Sequence, residues 1–483
     1  MNKMGITEQK KAALDLIETE KERLIEISDT IWQLAEVGMQ EYDSAKVHED
    51  YLEENGFTVD RGVAGMPTAF VATYGSGKPV IGLTAEYDAL PGISNEVVPY
   101  RKPLVEGGPG HGCGHNVFGA ACVGAAVGVK EAMNKGNVKG TFKLFGCPAE
   151  EMCIGKPFMA LAGLFKDLDA VLSWHPGVSN TARGLGSSCA YDSVAFVFHG
   201  YSAHGCTPWN GDDALAAAEV MDSTINIMRG YVRPNTTINR TVLDATQFAN
   251  VLSDRCEVWY VFRNPSREYL TSLRERIIEV GKASANVMKC DVDIKFITGV
   301  WPRLPNKTMG DIVYTNMELV GPPKFTDEEK KFAKKLQITV PERGVPLGGF
   351  KVALDETLTP PKIPTAAPSG TSDNADVSWH APMGEFSTTT KPFGTPGHSW
   401  QSVASHGSSI AHKGLLVAAK SLALTSIHLM TKSGALEMAT KEYRERKRDI
   451  EYVTAIPKEV EATLYMHKKY QDEYRKELAA LKK

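Results

Sequence analysis

The stretch SVAFVFHGYSAHGCTPWNGDDALAAAEVMDSTINIMRGYV, residues 193–232, passes from a strand pattern into a long helical one. The chain then reads strand TINRTVLDAT (237–246), strand CEVWYVFRN (256–264), helix REYLTSLRERIIEVGKASANVMK (267–289) and strand DVDIKFITG (291–299). This βαββαβ order is the split βαβ, or ferredoxin-like, unit. The flanks follow another logic. Two helices lead the chain, then a hairpin-like pair TAFVATYG and KPVIGLTAEYDAL, a small-residue helix after Asn116, strand GTFKLFGCPA, a further helix and strand AVLSWHP. Beyond the unit come helical stretches including GPPKFTDEEKKFAKKLQ, a Pro/Gly/Ser-rich stretch (359–379), strand FSTTTKPFG and helix SSIAHKGLLVAAKSLALTSIHLM. Strands alternating with helices predict an α/β domain. The fold class is therefore an α/β catalytic domain, residues 1–186 and 303–483, interrupted by an inserted ferredoxin-like dimerisation or lid domain, 187–302. The charged stretch from about Lys441, YRERKRDIE included, reads as a helical tail with a solvated face.

With 483 residues, 42% hydrophobic and 23% charged, the chain exceeds one compact core. A net charge of -4 gives no basic excess, which argues against nucleic acid as a partner. The N-terminus is charged throughout and no apolar run approaches the roughly 20 residues of a spanning helix, so a soluble cytoplasmic protein with no membrane partner is expected. Eight cysteines without a secreted-framework spacing suggest reduced thiols. Cys122, Cys189, Cys256 and Cys290 read as small buried hydrophobes.

Several strands of the outer domain end in polar residues that are costly to bury. TAEYDALPG carries Glu86 and Asp88, CPAEEM carries Glu150 and Glu151, and SWHPG carries His175. GHGCGHN adds Cys113 and His115, and GTPGHSW adds His398. Two adjacent carboxylates repel unless a cation or different tasks separate them. A divalent metal does both, one carboxylate binding it while its neighbour moves a proton. The ligand types suit zinc, cobalt, nickel or manganese. Each feature alone has a plainer reading: HGCGH as a glycine-rich loop, the Glu pair as a helix start, His175 and His398 as ordinary loop histidines. Their joint occurrence favours a site. His48, His380, His406, His412 and His428 lack such company and are assigned to structure.

The motifs AEYDALPG, GHGCGHN, CPAEE, SWHPG, HGYSAHG, SGTSDNADVSW and GTPGHSW resemble, in order, those of the metal-dependent amidohydrolases related to aminoacylase, carboxypeptidase G, hippurate hydrolase and the plant indole-acetyl-amino acid hydrolases. The resemblance implies Cys113, His115, Glu151, His175 and His398 as ligands of one or two divalent ions, zinc or manganese. It implies Glu150 as general base, Asp88 as the carboxylate orienting an imidazole, and His204 as an oxyanion donor from a partner subunit. Asn250 and Arg263 would bind the substrate's α-carboxylate. The implied activity is hydrolysis of small N-acyl or N-aroyl amino acids, p-aminobenzoyl-glutamate foremost, giving p-aminobenzoate and glutamate. The alternatives are an aminoacylase or dipeptidase of the same superfamily and a non-catalytic partner subunit of a hetero-oligomeric hydrolase. A homodimer is expected, with a heteromer containing a related subunit as the other assembly. Two departures stand out: Glu86 where many members have a metal-binding His, and Asn116 where an Asp is usual.

Overall fold

Val80–Ala85 is buried at every position, the mark of a strand covered on both faces, and the larger sheet is built around it. The computed structural model describes residues 6–481 apart from 247, 342–344, 346–348, 363–367 and 369. Part of the Pro/Gly/Ser-rich stretch, with Ser369 of SGTSDNADVSW, therefore lies outside the described residues.

Twelve strands are described: β1 Thr58–Arg61, β2 Phe70–Ser76, β3 Val80–Ala85, β4 Gly140–Gly146, β5 Ala170–Gly177, β6 Asn180–Arg183, β7 Ala190–His199, β8 Thr237–Asp244, β9 Arg255–Asn264, β10 Asp291–Val300, β11 Leu358–Thr359 and β12 Met383–Thr389. Eight form a mixed sheet in the order β1-β2-β4-β3-β5-β12-β6-β11. Strands β4, β3, β5 and β12 run parallel through its centre. The expected hairpin of β2 with β3 does not form. Strand β4 lies between them, antiparallel to β2 and parallel to β3, because β3 belongs to the doubly covered parallel core and a hairpin would put it toward the edge.

The small-residue helix His115–Asn134 is buried along nearly its whole length. Its glycines let the two N-terminal helices, Glu8–Thr19 and Lys21–Leu34, approach closely: a Cβ at Gly124 would stand 2.6 Å from Leu24 Cδ1. The helix Ser409–Thr431 packs on the same core. It corrects one expectation, being long and apolar enough to cross a membrane, with an 18-residue window of mean hydropathy 1.4. The window is 78% buried inside the protein, as a core helix requires.

The insert is a four-stranded antiparallel sheet in the order β10-β7-β9-β8. Helices Ala214–Met228 and Arg267–Val287 cover one face with their own core. The other face packs Ala195 and Ile297 against Met152, Ile154 and Phe158 of the catalytic part and Ile456 and Met466 of the tail. The tail is thus more than a solvated helix. Helix Ser433–Lys447 ends, an irregular segment follows, and Lys468–Leu481 is helical again. Glu442 accepts from the backbone N–H of Lys307 and Thr308, capping the helix Lys307–Val320.

Candidate metal centre

Loops at the carboxyl ends of the parallel strands deliver the polar side chains, the usual place for a site in such sheets. Gly114 carries φ +89° and a Cβ there would meet the His406 ring at 2.7 Å. Only glycine fits, and this turn sets Cys113 and His115 on either side of the helix start. After β4, a 3-10 turn Glu150–Met152 is flanked by Ala149 and Cys153, both left-handed at φ 53° and 55°. His398 is left-handed too, at φ 54°. Three strained non-glycine residues around one cluster hold its side chains in fixed positions.

Cys113, His115 and His175 bring their ligand atoms within 4.8 Å of one another, and so do Cys113, Glu151 and His398. The two groups share Cys113. Its Sγ lies 3.3 Å from His175 Nε2, and His398 Nε2 lies 3.2 Å from Glu151 Oε2. A third group joins Glu86, His115 and Glu150, with Glu150 Oε2 3.8 Å from His115 Nε2. Asp88 stands behind them. Its Oδ1 accepts from His115 Nδ1 at 2.7 Å and its Oδ2 from the Glu151 backbone N–H at 2.9 Å. His115 thus turns Nε2 toward the cluster; burial works against its charge, but Cys113 and Asp88 outweigh it and hold the imidazole well above its ordinary value, so a divalent ion at Nε2 would take the place of a proton.

The electrostatics suit a cation. Burial lifts Glu150 to about 7, with Glu86 adding to the shift. Burial also holds Glu151 well above the usual carboxylate range, opposed by His115 and reinforced by Asp88 and Glu150. Burial and the Glu151 charge push the Cys113 thiol up to about 12, and burial holds His175 well below its ordinary value. Meanwhile His115 Nε2, Glu86 Oε2 and Glu151 Oε1 are buried without a hydrogen-bond partner. His115 Nε2 and Glu86 Oε2 lie only 3.3 Å apart yet make no hydrogen bond. Unpaired donor atoms and disfavoured anions converging on one point are what a divalent ion relieves. The residues fit a thiolate, imidazole and carboxylate metal site.

Sequence reasoning missed Lys156. Fully buried, its Nζ donates to Glu86 Oε1 at 2.7 Å and to Asp373. Asn374 Nδ2 also donates to Glu86 Oε1 at 3.0 Å, so only Oε2 faces the cluster. The partners lie 70 and 217 positions away in sequence. No local spacing announces them, and a lysine in GKPF reads as helix surface. Asn116, where an Asp is usual, donates to Ser28 Oγ and to the His406 carbonyl instead of facing the cluster.

The remaining predicted residues lie elsewhere. Arg263, near the end of β9, stacks over the Tyr191 ring at 5.0 Å, and Tyr191 packs with Cys153 and Ala375. His204 and Asn250 sit together on exposed loops beyond the other end of β9, where the Gly205 N–H bonds the Asn250 carbonyl and His204 bridges Val251. Eight residues separate Arg263 from Arg255, about 27 Å of strand. The pairing of Asn250 with Arg263 is therefore not made within one chain. The other histidines have structural partners: His111 bonds the Ile31 carbonyl, His406 the His111 carbonyl, His412 Asp29 and His428 Asn316. His48 and His380 pack against Tyr87 and Tyr452.

Residues 82–321 match the family described as Peptidase family M20/M25/M40. The chain is 33% identical over 471 residues to one of the subunits of p-aminobenzoyl-glutamate hydrolase from Escherichia coli (strain K12), covering 92% of this chain and 97% of that protein. It is 27% identical over 451 residues to the Xaa-Arg dipeptidase of Mus musculus, covering 90% and 92%. Among solved structures, a Bacillus subtilis protein described as a dinuclear metal-binding peptidase of the M20 family aligns with a TM-score of 0.51 at 19% identity, over 86% of this chain and 99% of that one.

Proposed function

Since the chain belongs to peptidase family M20/M25/M40, and is a hydrolase, we propose that it cleaves the amide bond of N-acyl and N-aroyl amino acids, p-aminobenzoyl-glutamate first among them. The observation that carries this reading is the double cluster sharing Cys113, with Glu150 poised beside it. Glu151 and His398 would hold one ion, His115 and His175 a second, and Cys113 would bridge them. Zinc or manganese suits these donors. Such ions polarise a carbonyl and acidify water at neutral pH.

The chain's own groups do the rest. Glu150 takes the proton of the attacking water on its carboxylate and passes it to the departing amine nitrogen. Burial favours its neutral form, which keeps both states in reach near neutral pH. Asp88 fixes the His115 ring and the Glu151 backbone at once. Arg263 offers a guanidinium fork for the substrate's α-carboxylate.

His204 stabilises the oxyanion of a neighbouring protomer, and Asn250 goes with it. The insert carries the means to pair: β8 is an exposed sheet edge, and Trp209, Ile227, Tyr231 and Phe248 are 70–77% exposed. Two inserts joined antiparallel at β8 bring the His204 end of one to the Arg263 end of the other. The assembly is a homodimer, or a heteromer with a related chain, an arrangement supported by the Escherichia coli relative being named as one part of a hydrolase with several. The eight cysteines are all unpaired, which suits a reducing cytoplasm.

The test is a panel of N-acyl amino acids and dipeptides offered to metal-loaded protein, with the released amino acid identified. Release of glutamate from p-aminobenzoyl-glutamate supports the reading. Turnover only of substrates with a free α-amino group makes it a dipeptidase, and no turnover by a properly loaded dimer makes it a non-catalytic partner chain.

A further inference from the structure

Beside His175 the protein holds a cavity of about 580 Å³, within the range of small-molecule sites. Its walls are the two connections between catalytic part and insert, represented by Arg183, Ser187 and Arg303, together with Lys362 and Gly370, Thr371 and Ser372. The charge balance is unequal. Arg183, Arg303 and Lys362 line it against one carboxylate among the described residues, Glu385. Arg303 is spoken for: buried, it pairs with Glu385 at 2.8 Å and donates to the Gly186 and Arg183 carbonyls at 3.4 Å. Arg183 and Lys362 are exposed, and among the described residues neither has a carboxylate within ion-pair distance. The hydroxyls of Ser187 and Thr371 donate to the Arg303 and Cys189 carbonyls, at 3.0 and 3.2 Å, which leaves Arg183 and Lys362 as the uncommitted cations of the wall. The cavity is built for an anion, and His175 forms part of the same wall.

We propose that this cavity takes the side-chain carboxylate of an acidic amino acid released by the enzyme, with Arg183 and Lys362 as its specificity-determining residues. The inference rests on the hydrolase reading above, because it takes the neighbouring cluster as the reaction centre. Arg263, the residue proposed for the α-carboxylate, connects to the cavity wall through its neighbours. Its ring partner Tyr191 is two residues beyond Cys189, whose backbone N–H bonds the Gly370 carbonyl at the cavity wall. In this proposal Arg263 takes the α-carboxylate, and Arg183 and Lys362 take the second carboxylate of a dicarboxylic amino acid. The dicarboxylate is bound at both ends, while a glutamine leaves the two cations unpaired. Charge-assisted hydrogen bonds of this kind correspond to roughly 10- to 100-fold in preference.

The experiment compares kcat/KM for N-(4-aminobenzoyl)glutamate and N-(4-aminobenzoyl)glutamine in metal-loaded wild type and in the Arg183→Gln/Lys362→Gln double variant. Both side chains are exposed, so the variant folds. The expected result is a glutamate preference of at least tenfold that falls to near unity in the double variant. A preference that survives the substitutions, or none in the wild type, overturns the proposal. A parallel preference for N-succinyl-leucine over N-butyryl-leucine, lost in the same variant, moves the carboxylate to the acyl side and overturns it as well. Calorimetric binding of glutarate against butyrate separates this from a failure of the hydrolase reading. If no amide is cleaved, tighter glutarate binding that disappears in the double variant still upholds the cavity, and equal binding of the two acids in wild type refutes it.

Discussion

The arrangement of His204 predicts a result that depends on two protomers exchanging. His204→Ala removes an oxyanion donor, a change worth roughly 100- to 1,000-fold in turnover. Glu150→Gln removes the base, worth roughly 100- to 10,000-fold. Each homodimer is then nearly silent. In one chain, His204 and Arg263 lie at opposite ends of β9, about 27 Å apart along the strand, so a site using both must draw on two inserts. Mixing equal amounts with free exchange gives about half mixed dimers. In each, the chain with intact Glu150 receives an intact His204 from its neighbour, and the other site lacks both. Recovery should plateau at roughly 25% of wild-type activity, at least tenfold above either variant alone. The assay is amino acid release after co-incubation, with exchange followed independently by native mass spectrometry of differently tagged chains. Exchange to a statistical mixture with no gain in activity places His204 in its own protomer's chemistry and refutes the trans arrangement.

Elemental analysis should separate the two glutamates: Glu150→Gln keeps its metal and loses turnover, whereas Glu151→Gln and His398→Ala lose metal, and His412→Ala, whose ring bonds Asp29, loses none. Lys156→Met leaves Glu86 and Asp373 buried without their shared cation, a loss of roughly 3–5 kcal/mol in urea unfolding, partly restored by adding Asp373→Asn; a loss under about 1 kcal/mol means that the trio is not ionised. Burial lifts Asp376 to about 7, opposed by donors from Tyr452 and the Trp301 backbone. Because its folded pKa is raised, its contribution is fully present below about pH 4 and is lost as pH rises through 7, at most about 4 kcal/mol. Asp376→Asn should therefore gain on wild type in thermal midpoint between pH 5 and 8, and a constant difference across that range refutes the assignment.

What could be read from the sequence and what could not divide along sequence distance. Glu150 and Glu151, and His175, each sit in a short motif at a strand end, and Cys113 and His115 in one at a helix start, so chemistry and position are written together. The insert was equally legible, because six alternating elements in 107 residues specify their own sheet. Pairing between distant segments was not. The hairpin expectation for β2 and β3 failed because strand alternation says nothing of β4, which arrives some 55 residues later to separate them. Strands β6 and β11, of four and two residues, carry too little pattern to register. The tail misled for a related reason. Its charges are visible residue by residue, but Ile456 and Met466 are buried only because the insert and the catalytic part together form a surface for them.

That shared surface bears on how the site works. An insert joined by two short connections suggests free hinge closure, yet here one apolar cluster ties Ala195 and Ile297 of the insert to Met152 and Ile154, just after the metal-side turn, and to the tail. Thr298 adds a buried hydrogen bond to the Cys153 carbonyl at 2.7 Å. Rotation of the insert must therefore carry these contacts or break them. The connections themselves, through Arg183, Ser187 and Arg303, are walls of the cationic cavity. A change in hinge angle moves Ser187 and Ser188 against a wall whose uncommitted cations, Arg183 of β6 and Lys362 just beyond β11, both belong to the catalytic part. The two cations proposed to hold the second carboxylate therefore stay fixed to the large sheet, and a shift of the insert changes how closely Ser187 and Ser188 cover that carboxylate rather than which residues bind it.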